Sequence, residues 1–247
     1  MTSLERLRFW GPIAAMLCVV GLIIGVAVSF ATADPEVFED FLPTAGPEDP
    51  APLVTSEPGR ADSEWVLTVS VRAGIPAIAL QAYGDATLQI EQEQPNCNLG
   101  WTTIAAIGYI ETAHGTHDGA QLLADGRTSQ RILGPALNGT NGTDKVPATA
   151  ETTEWHGDPK WDHAVGPMQF IPSSWHTWGA DGDGDGIADP NDIDDAALTT
   201  ARYLCASGAD LRTPGGWSRA VFSYNHSDDY VRSILTTANA YATRAAG

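Results

Sequence analysis

Apolar residues along this chain recur mainly at helical spacing, and no stretch alternates convincingly between apolar and polar residues as a half-buried β-strand does. The final segment shows the spacing most clearly, with apolar residues at Val231, Ile234, Leu235 and Ala238. The predicted helices cover 77–94, 101–114, the stretch from Asp194 or Asp195 to Gly208, 217–224 and the segment that Ser227 caps. The pattern therefore predicts a mainly α fold.

Three segments lack this spacing and divide the chain. Residues 1–33 contain an uncharged, mostly apolar run from Phe9 to Ala33. Residues 34–63 are rich in Pro and acidic side chains, a composition that cannot bury a core, and they are predicted to form a disordered linker. The domain is expected to occupy 64–247. Within it, 118–162 shows little periodicity, which is typical of a functional loop or a disordered insertion.

The N-terminal apolar run predicts that the rest of the chain is exported. About 20 apolar residues suffice to cross a bilayer as a helix, and arginines before the run with acids after it place the N-terminus in the cytoplasm. A cleaved signal is the alternative, because Ala31-Thr32-Ala33 has the pattern of a cleavage site. The length of the run favours an uncleaved transmembrane helix. The expected location is the cell membrane, single-pass, with the domain outside the cytoplasm, or secretion if the segment is cleaved.

Cysteine usage and charge agree with an exported protein. Cys18 lies in the apolar run, which leaves Cys97 and Cys205 as an even pair, and a disulfide is predicted between them. Two buried free thiols are the alternative. The chain has 13 Lys and Arg against 31 Asp and Glu, a formal net charge of −18. This charge argues against nucleic acid as a partner, because phosphate binding needs a basic face.

The most informative motif is an acidic loop that begins with Asp and Gly in alternation, at 181–186. It offers hard oxygen ligands on a backbone free to turn tightly, as Ca²⁺ requires. On the EF-hand template, Asp181, Asp183 and Asp185 take the first, third and fifth ligand positions, and the carbonyl of Ile187 takes the seventh. The loop is therefore predicted to bind Ca²⁺, with a solvated acidic turn as the alternative.

The end of this loop departs from the template. Gly186 stands where the EF-hand makes its sharp turn, but Asp192 replaces the Glu that closes the usual loop. A longer loop closes instead on Asp195, just before the next helical run. Both acids remain candidates from the residues alone. The role expected for the ion is rigidity rather than chemistry.

One acid falls on the apolar side of a predicted helix. Glu111 follows Ile107 by one turn and Ile104 by two, so its side chain projects from the buried face. Burial disfavours the charged form of a carboxyl group and raises its pKa. The group then stays protonated near neutral pH, as a general acid must. A Glu at the last turn of its helix that swings out to solvent is the alternative, and periodicity does not separate the two.

Four motifs in fixed order carry a resemblance to a known family. They are Tyr109-Ile110-Glu111-Thr112-Ala113-His114-Gly115, Gly166-Pro167-Met168-Gln169-Phe170-Ile171-Pro172-Ser173-Ser174-Trp175, the Asp/Gly loop, and Ser223-Tyr224-Asn225. From about Cys97 to Val231 the chain resembles the lytic transglycosylases of bacterial cell walls, of the membrane-bound murein transglycosylase B type. The resemblance implies a lysozyme-like, mainly helical domain with an EF-hand-like calcium loop. That loop closes on its fifteenth position in the family, which favours Asp195 over Asp192.

The resemblance also implies a reaction and its residues. Glu111 matches the single catalytic acid/base of enzymes that cleave the β-1,4 bond between N-acetylmuramic acid and N-acetylglucosamine in peptidoglycan. These enzymes consume no water and leave a 1,6-anhydro end. Gln169 matches a residue lining the glycan cleft, and Tyr224 and Asn225 match a pair beside the carboxylate. Thr112 stands where the family usually has Ser; it keeps the hydroxyl and is expected to bind substrate.

The expected partners are therefore the glycan strands of peptidoglycan and, through the N-terminal helix, the membrane. A lysozyme-type muramidase on the same fold is the nearest alternative, and a non-catalytic peptidoglycan-binding protein is another. A calcium sensor is weaker, because only one loop is present and sensors usually pair them. Four histidines without metal-ligand spacing are expected to be structural or exposed: His114, His117, His163 and His226.

Overall fold

A computed structural model of the protein describes residues 46–48, 53–140 and 143–247. The predicted anchor at 9–33 and most of the predicted linker lie outside these residues. In the described part, no single helix has the length and apolar composition needed to cross a bilayer, whereas the first two helices, bent by 120°, pass that test together. The division of the chain into 1–33, 34–63 and 64–247 stays a prediction.

The described chain is mainly helical, as predicted. Two short antiparallel strands come first, β1 (Thr55–Glu57) and β2 (Arg60–Ala61). The helices, in chain order, are α1 (Ser63–Ala73), α2 (Ala77–Glu93), α3 (Trp101–Thr112), α4 (Ala150–His156), α5 (Pro172–Trp178), α6 (Ile193–Gly208), α7 (Pro214–Tyr224) and α8 (Asp228–Ala246), with a 3₁₀ turn at His117–Gly119. The strand pair lies within the range predicted as linker. Its last residue, Ala61, is buried and donates its amide to Asp85 at 2.7 Å.

Two helix ends differ from the prediction for local reasons. Helix α3 ends at Thr112 because Ala113 and His114 adopt left-handed conformations, with φ of 50° and 62°. Helix α6 is capped by Asp192, whose carboxylate accepts from the Asp194 amide at 2.9 Å, and not by Asp194 or Asp195. Ser227 caps α8 as predicted, through the amide of Tyr230.

The core forms where α2 packs along α6, α6 along α7, and α3 along α8. The predicted inner face of α6 is buried throughout, at Ala197, Ala201, Leu204 and Cys205. The predicted disulfide is confirmed: Cys97, between α2 and α3, is bonded to Cys205 with their Cα atoms 5.4 Å apart. It ties the connection that leads into α3 to the middle of the core.

The segment 118–162 forms a lobe of irregular chain, not a long helix or sheet. In its described part, isolated bridges pair Leu122 with Thr128, and Pro147 with Trp161. A buried pair joins His156 Nε2 to the Asp162 carboxylate at 3.1 Å, and the Asp162 oxygen also accepts from the Thr152 hydroxyl at 2.6 Å. These contacts order the described part of the segment, which contradicts a disordered insertion, while a function for it stays a prediction.

Candidate active site

Helix α3 carries Glu111 in its last turn, and the carboxyl group faces α8. Its Oε1 accepts a hydrogen bond of 2.6 Å from the hydroxyl of Tyr230, a residue in the first turn of α8. Glu111 keeps partial exposure to solvent, yet protein atoms surround its carboxyl group closely. This burial raises the pKa of Glu111 to about 7, and the bond from Tyr230 opposes the rise. The group is poised to give up or accept a proton near neutral pH.

Thr112 joins the end of α3 to the turn at 166–170. Its hydroxyl donates to the carbonyl of Pro167 at 2.6 Å and accepts from the amide of Gly115 at 2.8 Å. The residue is 2% exposed. Both hydrogen-bonding roles of the hydroxyl are therefore occupied within the protein. The geometry gives Thr112 a positioning role, and its contact with substrate stays a prediction.

Tyr224, at the end of α7, reaches the same turn from another direction. Its hydroxyl donates to the carbonyl of Met168 at 2.8 Å and lies 3.4 Å from the hydroxyl of Thr200 on α6. Asn225 follows it and is 6% exposed. Because Thr112 and Tyr224 bond to neighbouring carbonyls, the ends of α3 and α7 meet at the turn.

Gln169 lies in the turn itself, with a left-handed backbone at φ 53°. Its Nε2 donates to the carbonyls of Gly166 at 2.9 Å and Ile132 at 3.3 Å. The side chain thus links the turn to the 118–162 segment and remains partly exposed. The structure brings the turn carrying Gln169 against Thr112 and Tyr224, with Glu111 and Asn225 as their chain neighbours.

Tyr230 was missed by reasoning from sequence. It precedes the apolar stripe of α8 by one residue and is 2% exposed, so periodicity alone presents it as a core aromatic. The sequence offered one signal that Tyr230 is not an ordinary core residue. It lies in the first turn after the Ser227 cap, two residues C-terminal to Asp228. Only the packing of α8 on α3 brings its hydroxyl to Glu111.

His114 is structural, as predicted, and forms a buried chain beneath the end of α3. Its Nδ1 lies 3.1 Å from the hydroxyl of Tyr83 and its Nε2 lies 2.9 Å from the hydroxyl of Tyr241. Burial lowers the pKa of His114 to about 4, so the ring is neutral near pH 7. The two tyrosine hydroxyls thus hold a neutral ring in place.

The acidic loop is organised around Asp195. This residue is 2% exposed, and its carboxylate accepts from the amides of Gly182 at 2.6 Å and Asp189 at 2.8 Å. Desolvation, opposed by these two amide bonds and reinforced by the charges of Asp192 and Asp183, raises the pKa of Asp195 to about 7. Asp192 instead caps α6. The geometry thus supports closure of the loop on Asp195 rather than Asp192.

Three carboxylates in this loop are spaced to hold a cation. One oxygen each from Asp181, Asp183 and Asp195 lies within 4.8 Å of the others. Asp185 stands apart from this group, since its carboxylate lies 3.6 Å from the guanidinium of Arg127. Gly186 has φ of 90° at the predicted sharp turn. Hard oxygen donors that repel one another at this range suit Ca²⁺, although Asp185 and the Ile187 carbonyl are not shown among them.

The loop also contacts the turn that holds Gln169. Gly166 has φ of 77°, and a Cβ atom at this position would overlap the carbonyl of Pro190. Only glycine allows the two backbones to approach so closely. The loop and the 166–170 turn are therefore in direct backbone contact.

Comparisons with known proteins agree with this picture. Residues 149–221 match the family described as the transglycosylase SLT domain. The match spans α4, the 166–170 turn, the acidic loop, α6 and most of α7, while Glu111, Tyr224 and Tyr230 lie outside it. No curated protein matches the sequence.

Solved structures similar to this chain include two lytic transglycosylases. One is the Escherichia coli lytic transglycosylase Slt35, solved in complex with bulgecin A. It is 16% identical to this chain, and the alignment covers 79% of this chain and 77% of Slt35 with a TM-score of 0.46. Its complex with calcium has a TM-score of 0.45 at the same identity and coverage. SltB3 from Pseudomonas aeruginosa, in complex with NAG-anhNAM-pentapeptide, is 17% identical over 84% of this chain and 71% of that one, with a TM-score of 0.42.

Proposed function

We propose that this chain, which carries a transglycosylase SLT domain at residues 149–221, is a lytic transglycosylase of peptidoglycan. The match at 149–221 supports the transglycosylase family predicted from the motifs. The observation that carries the proposal is the Glu111 carboxyl group, buried, bonded to Tyr230 and raised in pKa to about 7. The substrate is the β-1,4 bond between N-acetylmuramic acid and N-acetylglucosamine.

The proposed reaction uses Glu111 twice. The protonated carboxyl group donates its proton to the glycosidic oxygen as the bond to the muramyl C1 breaks. The resulting carboxylate then accepts the proton of the muramyl C6 hydroxyl while that oxygen closes on C1. The product is a 1,6-anhydro end, and the carboxyl group is returned to its starting protonation state. Tyr230 holds the carboxyl oxygen in place through both proton transfers.

The surroundings of Glu111 favour this route over hydrolysis. Most glycosidases place two carboxyl groups across the bond, one as the acid and one as a base or nucleophile. Burial and the Tyr230 bond set the pKa of Glu111, and among the described residues no ion pair or hydrogen bond joins a second carboxyl group to it. A lone carboxyl group is sufficient when the nucleophile is a hydroxyl of the substrate itself.

Ca²⁺ is proposed as a structural ion in the acidic loop. Asp181, Asp183 and Asp195 would hold it, and the ion would supply charge neutralisation and rigidity rather than chemistry. The contact between Gly166 and Pro190 would pass this rigidity to the turn carrying Gln169. Export and membrane anchoring are proposed from the N-terminal apolar run and locate the enzyme beside its substrate.

The test is mass analysis of fragments released from purified sacculi. The wild type is expected to release muropeptides one water lighter than hydrolysed ends, while Glu111→Gln releases none and still binds sacculi. Products with ordinary reducing ends would identify a lysozyme-type muramidase. A wild type that binds sacculi but releases nothing under any buffer condition would identify a non-catalytic binding protein.

A further inference from the structure

Helix α1 presents two large aliphatic side chains to solvent. Leu67 and Val71 are 63% and 84% exposed, and they lie one turn apart on the same side of the helix. Among the described residues, Val71 is the most exposed of the large apolar side chains. The other side of α1 is buried in the core through Trp65, Val66 and Val69. The fold of the domain therefore leaves the exposed pair uncovered.

Two exposed arginines lie beside this pair, where the ends of α1 and α8 meet. Arg72 donates to the carbonyl of Ala245 at 3.3 Å, and Arg244 donates to the carbonyl of Ala73 at 3.3 Å. Neither guanidinium lies within ion-pair distance of a carboxylate of the described residues. Five other arginines do, at 2.5 to 3.9 Å, namely Arg60, Arg127, Arg202, Arg212 and Arg232. In a chain with a net charge of −18, the two arginines keep their charge for an anionic partner.

Tyr109 of α3 continues this surface beyond Arg244. The Arg244 guanidinium lies 6.0 Å from the centre of the Tyr241 ring, and the Tyr109 ring packs edge-on against Tyr241 at 6.4 Å. Tyr109 is 49% exposed. The surface, here called the Val71 face, consists of Leu67, Val71, Arg72, Tyr109 and Arg244. Aliphatic, tyrosine and arginine side chains together are typical of protein surfaces that lie in the interfacial region of a bilayer.

The chain between the predicted anchor and the domain is short enough to bring this face to the bilayer. The apolar run ends at Ala33, and residues 34–45 separate it from the first described residues, 46–48. Even fully extended, that stretch spans at most about 45 Å. Glu48 donates its amide to Asn239 of α8 at 2.8 Å, so the chain is held on the helix that carries Arg244. A membrane that holds the anchor is therefore within reach of the Val71 face.

The Val71 face also points away from the proposed catalytic carboxyl group. Tyr109 precedes Glu111 by two residues in α3. With 3.6 residues per turn, the two side chains leave the helix about 200° apart. A bilayer against the Val71 face would leave Glu111 on the side of the domain that faces the glycan strands of the wall.

We propose that the Val71 face docks on the surface of the membrane that holds the anchor, with Leu67 and Val71 entering the bilayer interface and Arg72 and Arg244 on anionic lipid headgroups. The proposal rests on the proposed anchor and not on the proposed reaction. Two aliphatic side chains are too few to hold a free protein of this net charge on a bilayer. The tether makes the contact effective, because it raises the concentration of the face at the bilayer to about the millimolar range.

The test uses the full chain with Cys18→Ala, which removes the one thiol outside the disulfide. Val71→Cys carries an environment-sensitive fluorophore in vesicles of phosphatidylcholine and phosphatidylglycerol that contain nitroxide lipids. Its emission is expected to shift to shorter wavelength and to be quenched. Leu123→Cys, labelled in the same way, is the matched control, because Leu123 is 44% exposed in the 118–162 segment, and it should show neither effect. Equal quenching at both positions, or none at Val71, would overturn the proposal.

Further substitutions in the Val71→Cys protein separate the two components of the contact. Leu67→Glu is expected to abolish the quenching and to keep the melting temperature, because the side chain is exposed. Arg244→Gln should weaken docking about fivefold, as expected for one basic residue near an anionic surface. Arg202→Gln is its control, since Arg202 lies on α6 and pairs with Glu93, and it should leave docking unchanged.

The remaining outcomes identify other occupants of the face. Quenching between labelled copies that is independent of nitroxide lipids would show that a second copy of the chain covers the face, against the proposal. A full chain that does not float with the vesicles lacks the anchor, which overturns the proposal together with the anchoring. Neither outcome affects the proposed reaction, because release of anhydro ends from sacculi is measured separately.

Discussion

The carboxyl group of Glu111 is subject to two opposing influences, and their balance decides its chemistry. Burial disfavours the carboxylate, whereas the hydroxyl of Tyr230 stabilises it through a 2.6 Å bond. The outcome is a pKa of about 7, close to the value that best serves both donation and acceptance of a proton. Neither influence would produce this result alone.

The pH dependence of activity follows from this pKa. Since the protonated form begins the reaction, kcat/KM of the wild type is expected to fall as the pH rises through about 7. Glu111→Gln cannot donate the proton and should lose about 10³-fold in activity. Rates of turbidity loss of sacculi between pH 4.5 and 9 provide the measurement. If activity instead falls with a midpoint near pH 4.5, the ordinary pKa of a Glu, the carboxyl group is solvated and the proposed role of its burial is wrong.

The same group affects stability in a defined direction. Because the folded-state pKa of Glu111 is raised, its contribution to stability is fully present below the unfolded-state pKa and is lost as the pH rises through about 7. Urea unfolding at a series of pH values should show this loss in the wild type. Glu111→Gln cannot ionise and should not lose this contribution. Its free energy of unfolding should therefore rise relative to that of the wild type as the pH increases over this window.

Tyr230→Phe tests the opposing influence, because it removes the hydroxyl and keeps the ring. The pKa of Glu111 is expected to rise further, so the alkaline limb of the activity profile moves to higher pH. Activity below the limb should fall about tenfold, because the carboxyl group loses its anchor. Tyr203→Phe is the control, since that hydroxyl bonds the carbonyl of Ser223 instead. An unmoved limb in Tyr230→Phe would show that the two residues are not coupled.

At the scale of elements, the acids where the acidic loop meets α6 have two different structural roles. Asp192 satisfies the backbone at the start of α6, while Asp195, in the first turn, turns back toward the loop amides. The two residues are three apart but face different partners because the helix begins between them. The spacing of Asp181, Asp183 and Asp195 is a consequence of this arrangement.

Removal of calcium should therefore loosen this element. A chelator is expected to lower the melting temperature by about 5 to 10 °C if the ion binds well below its working concentration. Asp195→Asn should show no response to calcium and should melt somewhat below the chelated wild type, because Asn offers one acceptor oxygen where two accept from Gly182 and Asp189. Asp185→Asn is the matched control and should keep most of the calcium response, because its carboxylate faces Arg127. Scanning calorimetry in calcium and in chelator measures all three proteins. Identical melting of the wild type in both buffers would refute a bound metal.

Across the whole molecule, the bond between Cys97 and Cys205 joins distant parts of one core. The two cysteines are 108 residues apart in sequence, and the segment between them includes α3, the 118–162 lobe and the acidic loop. Closing so long a loop reduces the entropy of the unfolded chain. The bond thus stabilises the arrangement that carries the residues proposed for catalysis and for metal binding.

Replacing both cysteines by Ala should lower the free energy of unfolding by about 3 kcal/mol. Guanidinium unfolding, followed by circular dichroism, gives the measurement under oxidising conditions. Cys18→Ala, in the N-terminal apolar run, is the control and should leave the midpoint unchanged. Equal stability of the double variant and the wild type would mean that the unfolded chain is already compact.

Several features were predictable because local sequence determines them. Helical spacing predicted α2, α3, α6, α7 and α8, Ser227 predicted the cap of α8, and an even pair of cysteines after the predicted anchor predicted the disulfide. The acidic loop was recognisable because alternating Asp and Gly have few other uses. The order of the motifs predicted a transglycosylase family, and residues 149–221 match the transglycosylase SLT domain.

Other features depended on contacts between residues far apart in sequence. Periodicity placed Glu111 on a buried face but left its exposure open, and only the packing of α8 on α3 supplied Tyr230. Asp192 and Asp195 are the same residue type, so sequence alone does not say which one closes the loop. Their roles differ because α6 begins between them, which makes Asp192 the N-cap and places Asp195 in the first turn. Sequence specified the chemical groups and their helices, whereas tertiary packing decided their partners, because burial and hydrogen bonding depend on which surfaces meet.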